Sequence, residues 1–401
     1  MRVAVVGGGA VGLCCAWSLA QRGADVVVYE RDRVGSGCSL GNTGWICPGL
    51  SAPLPAPGVM SAALRGMLRR ESPVRIRPLV GPGFLRWSWQ FWRACAPVRY
   101  RAGLEATVAL AGGAFELFED LRADGVELEL HDSGMVVAAL TEEGLDEYAS
   151  MLSEAKEAGY EGDVSVLDAG ALRELEPAVG DAVVGGVHAP AERYVRPESL
   201  TQGLTEALRR GGAAVNEGAE VTRLDDLDAD AVVVAAGVWS GRLVEPLGVR
   251  IPMEAAKGYS VTARGGGTLP RHAFYLAEAK VGCSTFGDSL RIAGIFDLTG
   301  LDLTLRPRRI ETIVSSSLPY LRDWRPEETE LEWTGLRPYP SDGLPIVGRV
   351  PGRPGLFLAT GHGRMGITLA PATGKLLAEV ILDGAQPREL EPFGVERFAR
   401  S

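Results

Sequence analysis

Four residues near the start of the chain have the types and the spacing that bind a dinucleotide. Gly7, Gly9 and Gly12 form a G-x-G-x-x-G sequence, and Glu30 follows 18 residues after Gly12. The first glycine permits a tight turn, the second lets the backbone approach a pyrophosphate, and the third lets helix and strand pack closely. A carboxylate at position 30 is placed to accept hydrogen bonds from ribose hydroxyls. The chemistry we expect is therefore phosphate and ribose binding.

These residues need a strand and a helix to position them. Residues 2–6 predict a short buried strand, 10–22 predict a helix that Gly23 ends, and 24–29 predict a second buried strand. This order indicates a parallel β-α-β unit, whose helix N-terminus presents N–H groups to phosphates. The motif by itself does not distinguish FAD from NAD.

Two later segments favour a flavin. Residues 231–239 (AVVVAAGVW) predict a buried strand that ends at Gly237, and 357–371 (FLATGHGRMGITLAP) predict a strand, a glycine-rich turn and a helix. The N-terminus of that helix is suited to the edge of a flavin ring that becomes anionic on reduction. A nicotinamide enzyme has no evident use for such a turn.

Composition limits the other possibilities. The chain has 401 residues, 46% of them hydrophobic, and a formal net charge of −10, which argues against a disordered chain and against nucleic acid as the main partner. Six scattered cysteines show no zinc spacing, so we expect no metal site and a cytoplasmic protein. The start MRVAVVGGG is too short for the core of a signal peptide.

Residues 61–101 are basic and rich in aromatic side chains. They contain nine arginines against Glu71 alone, and they include Trp87, Trp89 and Trp92. One interpretation is an amphipathic helix at an anionic membrane surface. The other is an arginine-rich helix whose aromatic side chains complete the core of a substrate domain. The sequence leaves both open.

Five motifs together resemble a known family. They are VVGGGAVG with Glu30, GCSLGNTGWICPGLSAPLPAPG (37–58), AKGYSVTA (256–263), WTGLRPYPSDGLPIVGR (333–349) and TGHGRMGITLAPATGKLLAEVI (360–381). The chain is similar to the FAD-dependent D-amino-acid oxidase/glycine oxidase superfamily, and within it to the small-subunit type of bacterial D-amino-acid dehydrogenase. The resemblance runs through most of the chain.

The resemblance implies an α/β fold with two domains. We expect a discontinuous Rossmann-like FAD-binding domain from 1–80, 160–250 and 335–401. An inserted α+β substrate domain with a mostly antiparallel sheet would then come from 81–159 and 251–334. One departure from the family is that only RLDDLDAD (223–230) stands where a β-hairpin usually follows Val221.

The resemblance also implies a set of residues around non-covalently bound FAD. The expected cofactor residues are Gly7, Gly9, Ala10, Val11, Gly12, Glu30, Arg31, Cys38, Ser39, Thr43, Gly44, Trp45, Val221, Gly237, Gly361, His362, Gly363, Arg364, Met365, Gly366, Ile367 and Thr368. We expect His362 to belong to the flavin loop and not to act as a base, since hydride transfer requires distance and orientation but no positioned protein base.

Arg337 in G-L-R-P matches the family arginine that binds the substrate carboxylate. A planar guanidinium can bind a carboxylate through two hydrogen bonds and so fix the direction of the Cα–H bond. The alternative is an ion pair with Glu332 or Asp342. The resemblance implies Arg364 as a second arginine near flavin and substrate, with a phosphate or domain clamp as the alternative. Tyr259 and Tyr339 are further catalytic candidates at family-matching or nearby positions.

The function implied is oxidation of the C–N bond of a D-amino acid or cyclic imino acid, by hydride transfer from Cα to flavin N5. Electrons would pass to quinone or another carrier. The alternatives are an oxygen-using amino-acid oxidase that forms hydrogen peroxide, a non-catalytic flavin-binding subunit of a complex, and a nicotinamide dehydrogenase. Peripheral contact with the inner face of the cell membrane and an oligomeric state are left open.

Overall fold

The computed structural model describes residues 1–60 and 81–399, together with the backbone of 74–76. Most of the arginines that the sequence places between 65 and 77 therefore lie outside the described residues. None of the helices within the described ranges combines the length and the apolar composition needed to cross a bilayer.

A six-stranded sheet, with the order β10-β2-β1-β11-β18-β17, forms the first unit. All neighbours in it are parallel except β17 and β18. Its strands are β1 (Arg2–Val6), β2 (Asp25–Tyr29), β10 (Ala214–Asn216), β11 (Ala231–Val234), β17 (Ile346–Arg349) and β18 (Leu356–Thr360). The apolar runs of β1 and β2 are buried, as expected for parallel strands covered on both faces.

A mostly antiparallel nine-stranded sheet forms the second unit, with the order β16-β12-β15-β14-β13-β6-β8-β7 and β4 beside β15. Its strands are β4 (Val74–Ile76), β6 (Met135–Ala139), β7 (Ser165–Asp168), β8 (Gly185–Ala189), β12 (Met253–Gly266), β13 (Ala273–Leu276), β14 (Val281–Phe286), β15 (Ser289–Leu298) and β16 (Arg325–Pro340). A small sheet joins β3 (Trp45–Ile46), β9 (Arg193–Val195) and β5 (Leu130–His131). The predicted fold class is confirmed.

The helices cover these sheets. They are α1 (Ala10–Gln21), α2 (Pro82–Ala94), α3 (Pro97–Ala111), α4 (Ala114–Ala123), α5 (Glu142–Glu157), α6 (Ala169–Leu175), α7 (Pro197–Arg210), α8 (Ser240–Val244), α9 (Pro307–Ser317) and α10 (Gly366–Leu382). Four of them begin with proline, whose fixed φ and missing N–H suit the first helical position. In the main core cluster, α1 packs against α7 and α10.

The pairing of strands departs from the predicted domain boundaries. Strands β7 and β8 lie within 160–250 but pair into the nine-stranded sheet, and β16 continues through the predicted boundary at 334/335. Helices α3 and α4, within 81–159, pack against α10 of the first unit. The boundaries differ because the chain crosses between the two units more often than the motifs indicate.

Candidate active site

A cavity of about 530 Å³ opens where four parallel strands end. It is lined by the residues that follow β1, β2, β11 and β18, and on the opposite side by residues of β16. Ligands of open parallel sheets bind at the carboxyl ends of strands. The topology therefore places the cavity where a nucleotide cofactor is expected.

The glycine motif lines this cavity as the sequence predicts. Gly7 has φ +115°, and a Cβ on Gly12 would stand 2.0 Å from the Gly7 carbonyl oxygen, so a side chain at either position requires the backbone to move. At Gly9 the nearest atom to such a Cβ is Ser39 Oγ, at 3.5 Å. That hydroxyl accepts a hydrogen bond from the Ala10 N–H (3.1 Å) at the start of α1. Val11 also lines the cavity.

Glu30 lies in the cavity wall at the end of β2. Its two carboxylate oxygens accept hydrogen bonds from the N–H groups of Gly8 (2.8 Å) and Asp32 (3.0 Å). A carboxylate has about four acceptor positions, so ribose hydroxyls can still be bound. The charge is thus held in place by the glycine loop.

Beyond Glu30 the cavity is closed by cationic and aromatic groups. The Arg31 guanidinium lies 3.8 Å from the centre of the Trp239 ring, and both residues line the cavity together with Arg242 and Val221. Val221 lines the cavity although only a short segment with a 3₁₀ turn, Leu224–Asp226, separates it from β11. The absence of the hairpin therefore does not move Val221 out of the cavity wall.

The other end of the cavity is formed by the start of α10. Gly237, Gly361, His362, Gly363, Gly366 and Ile367 line it, as do Cys38 and Ser39. Burial lowers the pKa of His362 to about 3, and its Nε2 lies 3.0 Å from Thr373 Oγ1. The imidazole is therefore neutral, and its contact with Thr373 ties the loop to α10, which agrees with a loop residue and not with a base.

Six predicted cofactor residues are outside the cavity wall: Thr43, Gly44, Trp45, Arg364, Met365 and Thr368. Trp45 Nε1 donates to Ser284 Oγ (2.9 Å), and Ser284 Oγ donates to the Thr43 carbonyl (2.8 Å). Thr368 Oγ1 donates to the Trp45 carbonyl (3.0 Å). Met365 is buried in the main core. In this structure these residues tie the loop after β2 to the second unit and to α10.

Arg337 stands beside the cavity on β16, between the lining residues Leu336 and Pro338. Its Nη1 donates to the Ile295 carbonyl (2.9 Å), and its guanidinium carbon lies 2.5 Å from where a Cβ on Gly258 would be. Ile295 has φ +70°, an outlier for a β-branched residue, at an irregularity between β12 and β15.

No carboxylate within residues 1–60 and 81–399 lies at ion-pair distance from Arg337. Asp342, one of the two partners that the sequence suggests, is paired with Arg397 at 2.7 Å. The Arg337 charge does act on the cavity, because it lowers the pKa of the Cys38 thiol against the larger, raising effect of burial. The guanidinium is therefore uncompensated by acidic side chains.

Tyr339 and Arg364 adjoin the same end of the cavity. Burial raises the pKa of Tyr339, and the charges of both Arg337 and Arg364 act to lower it. A Cβ on Gly363 would come within 2.8 Å of the Tyr339 ring. Arg364 donates to the carbonyl oxygens of Leu50 (3.4 Å) and Ala52 (3.1 Å). These residues thus form one group with Arg337.

Tyr259 is a correction to the predicted site. In the β12–β16 pairing, Ala256 lies opposite Arg337, whereas Tyr259 lies opposite Thr334 and so projects from the other face of the sheet. There it packs in the core cluster that contains Ile310 and Ile313 of α9. Alternation along the strand, which the motif alone does not reveal, removes Tyr259 from the group.

Several cavity residues are absent from the predicted set, chiefly Trp239, Arg242, Leu303 and Trp333. Trp333 lies against two glycines, since a Cβ on Gly41 or Gly335 would come within 1.9 Å or 2.1 Å of its ring. Trp333 lies on the same face of β16 as Arg337, but this alternation can be used only once β16 is known to be a strand.

A family model described as FAD dependent oxidoreductase matches residues 2–380. The chain belongs to this family. The chain is also 32% identical to D-amino acid dehydrogenases from two strains of Cereibacter sphaeroides, over 100% and 99% of its own length and 96% and 95% of theirs. The resemblance found in the sequence is confirmed.

Solved structures share the fold of this FAD-dependent oxidoreductase. Glycine oxidase from Geobacillus kaustophilus superposes with a TM-score of 0.75 at 24% identity, over 99% of each chain. L-proline dehydrogenase from P. horikoshii superposes with a TM-score of 0.75 at 18% identity, over 100% of this chain and 98% of that one.

The cavity fits the cofactor of the family. Gly9 leaves the room that a pyrophosphate needs beside the start of α1, and Glu30 presents a carboxylate in the wall of the same cavity, where it can accept hydrogen bonds from ribose hydroxyls. The N-terminus of α10 faces the other end, where it could stabilise negative charge on a flavin ring. These residues could hold FAD.

Proposed function

We propose that this FAD-dependent oxidoreductase oxidises the C–N bond of a D-amino acid or a cyclic imino acid. The observation that carries the proposal is the half-buried Arg337, which has no carboxylate partner among the described residues and stands beside the cavity that fits FAD. The full-length likeness to D-amino acid dehydrogenases supports the substrate class.

In this proposal Arg337 binds the substrate carboxylate through two N–H groups. Its contact with the Ile295 carbonyl holds the guanidinium without neutralising it, so the geometry is set before substrate arrives. Tyr339 and Arg364 complete the part of the site that surrounds the substrate carboxylate. No base is required from His362, so the substrate reacts with its amine already neutral.

Bound FAD supplies two-electron oxidation of the substrate's amine carbon. The imine that results takes up water, which gives a 2-oxo acid and ammonia from a primary amine and an open-chain product from a cyclic one. We propose that the electrons then pass to quinone or another carrier, in line with relatives that are named dehydrogenases.

The experiment replaces Arg337 and follows flavin and turnover separately. We expect Arg337→Ala to keep its yellow flavin and to lose about tenfold to 150-fold in kcat/KM, because a charge-assisted contact contributes about 1.5–3 kcal/mol. Arg337→Lys should restore little, since an ammonium cannot form the two-pronged contact. Arg325→Ala, on the same strand, is the control, because Arg325 also donates to a main-chain carbonyl.

Turnover within twofold of wild type in Arg337→Ala would place the carboxylate anchor elsewhere, with Arg364 the next candidate.

The acceptor is tested by mixing substrate-reduced enzyme with a soluble quinone analogue or with oxygen. We expect fast reoxidation by the quinone analogue and slow reoxidation by oxygen. Rapid, stoichiometric peroxide formation would assign the protein to the oxidases instead.

A further inference from the structure

Helix α2 (Pro82–Ala94) exposes three large apolar side chains on one face. Leu85, Trp89 and Trp92 are 63%, 50% and 61% exposed. Their spacing of four and three residues places them in one stripe along the helix. Scattered single apolar residues are normal on protein surfaces, but a contiguous stripe with two tryptophans marks an interaction surface.

The opposite face of α2 is firmly packed, so the outward direction of the stripe is fixed. Trp87 and Phe91 are buried in a cluster with Ala256 and Tyr339, and their rings stack at 5.0 Å. Trp87 Nε1 donates to the Tyr339 carbonyl at 2.9 Å. The sequence left a core role and a surface role open for the tryptophans, and the structure divides them: Trp87 is core, whereas Trp89 and Trp92 face outward.

Positive charge accompanies the stripe. Arg86 and Arg93 follow it along one side, each one residue beyond an apolar member, and the Arg93 guanidinium lies 4.6 Å from the centre of the Trp89 ring. Val98, 83% exposed, and Arg99 continue the surface at the start of α3. In the sequence, residues 61–101 hold nine arginines against one glutamate, within a chain of net charge −10.

We propose that this face of α2 docks on an anionic lipid bilayer, with the stripe among the acyl chains and the arginines at the headgroups. Tryptophan and leucine beside arginine is the composition of helices that lie in the membrane interface. A two-fold contact between copies would instead set one basic segment against another, which is unfavourable. The net negative charge of the chain opposes adsorption by other parts of its surface, so binding would depend on this basic face.

The surface lies directly behind the candidate active site. The buried side of α2 contacts Tyr339 on the strand that carries Arg337, so docking would place the site wall about one helix diameter, roughly 10 Å, from the lipid. A role for this docking in electron transfer to a membrane carrier rests on the proposed function, in which a carrier such as quinone takes the electrons. The binding itself does not depend on it.

The test is co-sedimentation of the FAD-loaded, full-length protein with vesicles. We expect binding to phosphatidylcholine vesicles that contain phosphatidylglycerol, and much weaker binding to phosphatidylcholine alone or in high salt. Combining Leu85→Ser, Trp89→Ser and Trp92→Ser should weaken binding by about tenfold or more. Val166→Ser is the control, because Val166 is 57% exposed on β7, away from this helix.

Further measurements separate the outcomes. The triple variant should oxidise substrate with a soluble dye at the wild-type rate, which shows that it is folded and that the site is intact. Vesicle binding unchanged in the triple variant would overturn the proposal, and so would a stripe-dependent dimer that does not bind vesicles. Dye-linked turnover tests the proposed function only. If wild type shows no such turnover, or if Arg337→Ala loses it, the vesicle-binding result still supports or overturns the docking proposal by itself.

Discussion

Two arginines beside the cavity are held by main-chain carbonyls, and neither has an acidic partner in the part of the chain that the structure describes. Arg337 donates to Ile295, and Arg364 donates to Leu50 and Ala52. A carbonyl orients a guanidinium but does not cancel its charge, so both residues keep positive charge for an anionic group. This arrangement is the residue-level basis for expecting a carboxylate-bearing substrate.

Behind the loop that holds Arg364 lies a buried carboxyl group. Glu192 is 1% exposed, and its Oε1 accepts a hydrogen bond from the Gly49 N–H at 3.0 Å. Within the described residues its Oε2 has no hydrogen-bond partner. Burial raises the pKa of Glu192 to about 7, while contacts with Tyr160, Gly49 and Cys47 act to lower it.

This group makes stability depend on pH. The unfolded carboxyl loses its proton near 4.5, whereas the folded one keeps it to about 7, so stability falls as pH rises through that interval and stays lower above it. We expect the free energy of unfolding of wild type to fall by about 2–3 kcal/mol from this source between pH 5 and pH 8. Urea unfolding at several pH values measures it.

Glu192→Gln should remove this contribution to the slope of unfolding free energy against pH, because the amide does not ionise. The exposed Glu389→Gln is the control and should leave the slope as it is. If Glu192→Gln loses stability with pH as steeply as wild type, other groups cause the effect.

At the scale of elements, the loop between β15 and α9 closes one side of the cavity. Leu303 in this loop lines the cavity. The buried Lys257 of β12 donates from Nζ to the Thr304 carbonyl and pairs with Asp302 at 3.4 Å, and Asp302 also pairs with Arg306 at 3.0 Å. One buried amine thus fixes the residues on both sides of Leu303.

Replacing Lys257 with Met should loosen this loop. We expect faster amide hydrogen exchange at 299–306, several-fold faster FAD release, and a loss of about 1–3 kcal/mol in the free energy of unfolding, since Asp302 keeps Arg306. Lys156→Met is the control, because the exposed Lys156 also donates to a carbonyl. Exchange at 299–306 equal to wild type would show that the Asp302–Arg306 pair holds the loop alone.

For the molecule as a whole, one buried arginine joins the two units. Arg291 of β15 pairs with Glu198 of α7 at 2.5 Å and donates to the carbonyls of Leu40 and Asn42, each at 3.1 Å. Its Nε donates to Thr262 Oγ1 at 2.9 Å. The second sheet, the loop after β2 and a helix of the first unit therefore share a single side chain.

Removing this side chain should weaken the whole assembly. We expect Arg291→Met to lower the free energy of unfolding by about 3 kcal/mol, because Glu198 and two carbonyls lose a buried partner, and to weaken FAD binding as well. Arg264→Met removes a half-exposed arginine from its pairs with Asp288 and Glu330 and should lower the same free energy by about 1 kcal/mol or less. Equal losses in the two variants, measured by urea unfolding and flavin fluorescence, would show that Arg291 has no special coupling role.

The sequence by itself determined the elements whose signals are local. The β1–α1–β2 unit follows from glycine spacing and buried apolar runs, and the buried strand predicted from residue 231 is β11. The family motifs likewise identified the family and the end of the cavity near His362. Strand β16 was missed, because its first half is polar and exposed and becomes a strand only by pairing with β12.

Only the tertiary structure decided which way particular side chains point. It set Tyr259 on the face of the sheet away from Arg337, Trp87 inward and Trp89 outward on one helix, and Thr43 to Trp45 against the second unit. The direction of a side chain in a strand or helix is set by the element that covers each face. That partner lies far away in the chain, so no local pattern encodes it.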